Sequence, residues 1–140
     1  MHQKKVSLSP QDIEKRLLGA GVQPTLQRIA ICRYVLCEAD HPTAEQVKDW
    51  AQQNLDKISQ ATVYNTLNAL VDAGLLRALR LPHTEKVIYD DNIEDHHHFF
   101  DEETGRLYDL PEEQIDVRSK LPKKFKTNRV EVLFTGKVED

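Results

Sequence analysis

The chain has 140 residues, 39% of them apolar and 30% charged, with a formal net charge of −4. That length fits one ordinary domain or two very small ones, and the balance is that of a globular protein rather than a disordered or fibrous one. Apolar runs are too short for a membrane-spanning helix, and Met1-His2-Gln3-Lys4-Lys5 opens onto polar sequence rather than a secretory core, so a cytoplasmic location with no membrane partner is expected.

In chain order, the first half reads as helices. Ser9-Pro10-Gln11-Asp12 is a capping box with proline at the first helical position, predicting a helix to about Ala20 with Ile13 and Leu17 inward. Thr25 caps a second helix carrying Leu26, Ile29, Cys32, Val35 and Leu36 at helical spacing. Thr43-Ala44-Glu45-Gln46 is another capping box, with Val47, Trp50 and Leu55 inward. Ser59 caps a fourth helix, whose stripe is Val63, Leu67, Leu70 and Val71 and which Gly74 ends. The only cysteines, Cys32 and Cys37, read as buried thiols on one helix, without zinc spacing or sign of an oxidising compartment.

After Gly74 the period changes. Residues 75–81 and 86–90 read as strands around a Pro82–Glu85 turn, which with the helices makes a winged-helix arrangement. Further strands are expected at 98–100, 107–110 and 129–135, the last with Val130, Val132 and Phe134 on one face. A helix is expected from Pro111 to about Leu121. The fold class is therefore α+β: a winged-helix domain over 1–84, a hinge over 85–91, and a small α/β domain over 92–140. That second domain is too short for a core of its own and is expected to dimerise.

Charge divides the same way. Residues 1–89 hold 11 basic and 9 acidic residues, a net of +2, and residues 90–140 hold 8 and 14, a net of −6. The fourth helix carries no charge from Ser59 to Val71. Its polar residues, Gln60, Thr62, Tyr64, Asn65 and Asn68, suit base edges and phosphates of duplex DNA as well as they suit bare solvent. Lys15, Arg16, Arg28, Arg77 and Arg80 are the cations available for phosphate contacts.

The most unusual stretch is Glu94-Asp95-His96-His97-His98. On a strand His96 and His98 share a face and His97 takes the other. With Asp90, Asp109 and His41 they make a nitrogen and oxygen donor set without thiolate, suited to Fe(II), Mn(II) or Zn(II). No metalloprotease helix or nucleophile motif accompanies it, which argues against an enzyme. A metal-binding module without a DNA role is the remote alternative.

These residues carry a family resemblance. Gly21-Val22-Gln23-Pro24-Thr25-Leu26-Gln27-Arg28, His41-Pro42-Thr43-Ala44-Glu45, Ala61-Thr62-Val63-Tyr64-Asn65-Thr66-Leu67, Gly74-Leu75, His96-His97-His98, Gly105 and Asp109 together resemble the ferric uptake regulator family. The resemblance implies a homodimeric, metal-dependent repressor of AT-rich palindromic operators. It implies one regulatory divalent metal per protomer on His41, Asp90, His96, His98 and Asp109, and a base-contacting Tyr64. Many members also hold a structural zinc on two CxxC pairs. Here Asp101 and Thr104 stand in place of the first pair and no second pair follows, so no structural four-cysteine zinc is expected. The paired aspartates Asp90 and Asp109 look like the peroxide-responsive repressors, in which His41 or His96 would be the oxidised ligand. The missing cysteines and His96-His97-His98-Phe99-Phe100 look like the iron response regulators, with iron or haem as the signal, although no Cys-Pro haem motif is present.

Overall fold

A computed structural model describes residues 7–81 and 85–139. The chain divides into two compact units, one ending at Ile93 and the other beginning at Glu94. Fold class and element types follow the sequence closely in the first unit and less closely in the second.

In the first unit, α1 (Pro10–Gly19) starts at Ser9, whose side chain accepts from the Asp12 N–H while Asp12 accepts from the Ser9 N–H. Thr25 caps α2 (Leu26–Arg33), Thr43 and Gln46 form the reciprocal box of α3 (Ala44–Asn54), and Ser59 caps α4 (Gln60–Asp72). Each cap satisfies donors the first turn cannot pair internally. Gly74, at φ +77, closes α4, and Leu75 N–H reaches back to the Leu70 carbonyl. Ile13, Leu17, Ile31, Val47, Val63, Leu67 and Leu70 are fully buried and form one core. Trp50 is only half-buried, stacked on Tyr34 at 4.1 Å between ring centres.

The second helix departs from expectation after Arg33. Tyr34–Glu38 is a π-turn, in which Ala39 N–H bonds the Tyr34 carbonyl. This one-residue widening buries Val35 and Leu36 side by side and delivers the chain to Asp40 and His41.

Strands β1 (Arg77–Arg80) and β2 (Val87–Asp90) pair antiparallel, Arg77 opposite Asp90 and Arg80 opposite Val87. They are shorter than predicted, and residues 82–84 of the expected turn lie outside the described residues. Residues 87–90, within the expected hinge, belong to this hairpin. Tyr89 N–H bonds the Pro42 carbonyl at 2.8 Å, which fixes the 41–43 segment beside β2.

The second unit is one sheet in the order β4-β3-β5, built from β3 (His96–Asp101), β4 (Leu107–Pro111) and β5 (Leu133–Gly136). β4 runs antiparallel to β3 and β5 parallel to it. The helix expected over 111–121 is a single 3-10 turn, Glu112–Gln114, with no side-chain cap. Ile115 and Val117 are β-branched, Pro122 follows, and residues 116–131 are all exposed, so a helix there would have no face to bury. The expected strand over 129–135 starts only at Leu133, and Val130 and Phe134 are exposed. Leu107 is the one buried apolar residue among the described residues of this unit. Its other buried groups are His96, His97, His98 and Asp101.

Candidate metal centre and DNA-reading helix

In the second unit, alternation along β3 sorts the three histidines as predicted. His96 and His98 face Asp109 on β4, whose Cα is paired with that of His98. The Nε2 atoms of His96 and His98 lie 3.4 and 3.3 Å from Asp109 Oδ1. The two rings meet edge to face with centres 4.5 Å apart. Two donors about 2.1 Å from one ion stand roughly 3.0 to 3.4 Å apart at angles between square and tetrahedral, so this spacing fits a shared cation. His96 Nδ1 donates to the Glu94 carbonyl, so Nε2 is the ring nitrogen that faces Asp109. His97 points the other way, and its Nδ1 accepts from the Val132 N–H at 2.9 Å.

In the first unit, His41 follows the π-turn with φ +47. Its Nδ1 lies 2.7 Å from Asp40 Oδ1, and its Nε2 lies 3.7 Å from Asp90 Oδ1. Asp90 is fully buried at the end of β2 and accepts from the Asn92 N–H. Asp40 holds the ring as Glu94 holds that of His96. The sequence reading missed both of these supporting groups, although an acidic residue directly before His41 was a visible signal for one of them. Each unit thus presents imidazole Nε2 beside a carboxylate oxygen, and neither set contains sulfur.

Asp101 and Thr104 close the β3–β4 turn. Asp101 Oδ1 accepts from Glu103 N–H at 2.9 Å and Thr104 N–H at 3.2 Å, and Glu102 N–H bonds the Gly136 carbonyl. Burial pushes the Asp101 carboxyl up, but N–H groups of Thr104, Glu103 and Val138 and the Thr104 hydroxyl outweigh it and hold it below the ordinary value.

On α4, Gln60, Asn65 and Asn68 are exposed and Thr62 and Tyr64 half-buried, over the buried row Val63, Thr66, Leu67 and Leu70. Ser59 and Thr62 hydroxyls are 2.9 Å apart. Burial, and to a lesser extent Tyr64, raises the Tyr89 hydroxyl. Lys15 and Arg16 are exposed on α1. Arg28 donates to the Gln23 carbonyl with one arm of its guanidinium. Arg77 is half-buried and its Nη2 donates to the Ile93 carbonyl.

Cys32 and Cys37 are free thiols, Cys32 buried and Cys37 half-buried. No helix among the described residues is long and apolar enough to cross a membrane.

The ferric uptake regulator family matches residues 19–134. The peroxide-responsive repressor PerR of Staphylococcus epidermidis is 34% identical over 105 residues, which span 75% of this chain and 69% of that protein. The ferric uptake regulator of Vibrio cholerae superposes with a TM-score of 0.69 at 21% identity, covering 91% of this chain and all of that one. PerR from Streptococcus pyogenes superposes at 0.53 and 25% identity, covering 98% and 96%. The chain belongs to the ferric uptake regulator family and is a metal-responsive transcriptional regulator, not an enzyme.

Proposed function

We propose that this regulator is a homodimeric repressor whose grip on duplex DNA depends on one divalent cation per protomer, held by His41, Asp90, His96, His98 and Asp109. The observation that carries the reading is the set of imidazole Nε2 atoms spaced 3.3 to 3.7 Å from Asp90 and Asp109 oxygens, all nitrogen or oxygen and none sulfur. That chemistry fits Fe(II) or Mn(II), and Zn(II) in vitro. Because the ligands come from both units, binding would bias the chain toward whichever arrangement of the units brings them together, by the difference in affinity. On the DNA side, Gln60, Thr62, Tyr64, Asn65 and Asn68 would read an AT-rich palindrome, with Lys15, Arg16 and Arg28 toward phosphates. Exposed Val130, Phe134 and Val138, beside a unit with a single buried apolar residue among those described, support pairing of two copies. Action on DNA implies the cytoplasm.

The signal best supported is peroxide. The donor set lacks thiolate, and the repressors of Staphylococcus epidermidis and Streptococcus pyogenes are peroxide-responsive or peroxide-sensing by name. Iron(II) held by these ligands would supply the redox chemistry by which one peroxide oxidises a ligating imidazole by two electrons, one oxygen entering the ring and the other leaving as water. His41 and His96, whose Nδ1 atoms are held by Asp40 and by the Glu94 carbonyl, would take up the oxygen. The test is peptide mapping after anaerobic Fe(II) loading and stoichiometric peroxide. One added oxygen on His41 or His96 is expected. An unmodified protein with iron demonstrably bound would overturn the peroxide reading in favour of an iron or haem signal, to which the absence of cysteine at positions 101 and 104 also points.

A further inference from the structure

One stretch of the second unit has no part in the metal or helix chemistry. Between Val117 and Val130 lie six cations, Arg118, Lys120, Lys123, Lys124, Lys126 and Arg129, and no acidic residue. The rest of residues 90–140 holds two cations against fourteen acids. The stretch is irregular, turning at Pro122, whose carbonyl accepts from Phe125 N–H, and it is exposed throughout. Arg129 pairs with Glu131 at 3.0 Å. Among the described residues the other five form no ion pair, although carboxylates abound in the same unit. Leu121 and Phe125 stand exposed between them, with the Lys124 ammonium 5.2 Å from the Phe125 ring centre.

We propose that residues 118–126 form a second, sequence-independent contact with duplex DNA, gripping phosphates while α4 reads bases. The inference rests on the DNA-binding reading above. Mutual repulsion opposes such a run of like charges, and a discrete acidic protein surface would answer only some of its members. A phosphate backbone answers all of them, because it presents continuous charge and releases condensed counterions to each cation that docks. Lysines on an irregular chain suit this role, since phosphate attraction needs no fixed fork geometry. In an otherwise acidic unit, the run also sets which part of that unit can approach DNA at all.

The test is the salt dependence of binding to a short random-sequence duplex, read by fluorescence anisotropy on the Mn(II)-loaded protein between about 50 and 200 mM NaCl. The combined variant Lys120→Gln, Lys123→Gln, Lys124→Gln, Lys126→Gln alters only exposed side chains. Its log–log slope is expected to be shallower by about 0.9 for each phosphate no longer neutralised, so about 3 to 4 if all four lysines dock. Tyr64→Ala is expected to keep the wild-type slope to within about 1. An unchanged slope in the four-lysine variant, with wild-type protein binding DNA, would overturn the inference and leave the α4 reading standing. Failure of wild-type protein to bind any duplex would overturn both. A four-lysine variant that sediments as monomer where wild type is dimeric would reassign the run to contact between copies. One that loses binding to phosphatidylserine vesicles but keeps its DNA slope would reassign it to lipid. Either result would overturn the proposal.

Discussion

His97 Nδ1 accepts a hydrogen bond from the backbone N–H of Val132 at 2.9 Å, joining β3 to the residue before β5. The middle histidine of the triplet is therefore a strand anchor, while its neighbours face Asp109. Replacing it with alanine leaves a half-buried N–H unpaired. A loss of about 1 to 3 kcal/mol is expected, seen as a lower urea midpoint, with Mn(II) affinity unchanged. His96→Ala should do the reverse, weakening Mn(II) binding while largely sparing the metal-free protein.

The contrast between these histidines shows how far the sequence can be read. Alternation alone separated His97 from His96 and His98, because the side-chain period of a strand is fixed by its backbone. Capping by Ser9, Thr43 and Ser59 was equally legible, since each signal sits within four residues of the helix it starts. What was not legible depends on distant partners. The parallel pairing of β5 with β3 and the Arg77 bond to the Ile93 carbonyl have no local signature. The 111–121 segment has acidic residues suited to a helix start, yet burial decides its fate and it buries nothing. The π-turn at Tyr34–Glu38 leaves the apolar spacing of a helix intact and so escapes a periodicity argument.

Metal removal gives a second prediction. If all five ligands hold one ion, Mn(II) at about a hundredfold excess over its Kd stabilises the protein by roughly 2.7 kcal/mol. Chelator should abolish that gain in wild-type protein. In His98→Ala most of the gain should be absent before chelator is added. Scanning calorimetry with and without Mn(II) checks both, and an equal gain in the variant would exclude His98 as a ligand.

Asp101 makes the second unit acid-sensitive with a definite sign. Its carboxyl is held below the ordinary carboxylate value of 3.8, so the folded state favours the charged form. Its contribution is fully present above that value and is lost as pH falls through the lowered folded value. Asp101→Asn should flatten the acid limb of stability against pH for the second unit. Asp101→Ala should also lower stability at neutral pH, because the Glu103 and Thr104 N–H groups lose their acceptor. Chemical shifts of β3 and β5 amides during an acid titration would report the change.

The two thiols should differ in reactivity. Burial raises Cys32 to about 11, with a small opposing pull from Arg16 and a push from Cys37, so at pH 8 almost none of it is thiolate. Cys37 is half-buried on the π-turn. Alkylation by iodoacetamide at pH 8 is expected to modify Cys37 and to spare Cys32 until the protein is unfolded. Equal labelling of both in the native protein would mean that the Ile31, Cys32 and Val35 layer opens readily.

The sharpest separation of DNA chemistry from metal chemistry comes from α4. Tyr64 is half-buried on α4, while Ser59 caps the same helix through the Thr62 N–H. Tyr64→Ala removes a side chain offered to DNA and leaves the cap intact. Ser59→Ala removes the cap and should cost about 1 kcal/mol of stability. If α4 reads bases, Tyr64→Ala lowers affinity for an operator fragment about tenfold or more, the cost of roughly 1 to 3 kcal/mol for one base-directed contact. Its Mn(II) affinity and melting temperature should stay near wild type. Ser59→Ala should lower the melting temperature and weaken DNA binding only modestly. A Tyr64→Ala protein that binds operator DNA like wild type, with Asn65→Ala and Asn68→Ala equally silent, would remove α4 from the interface.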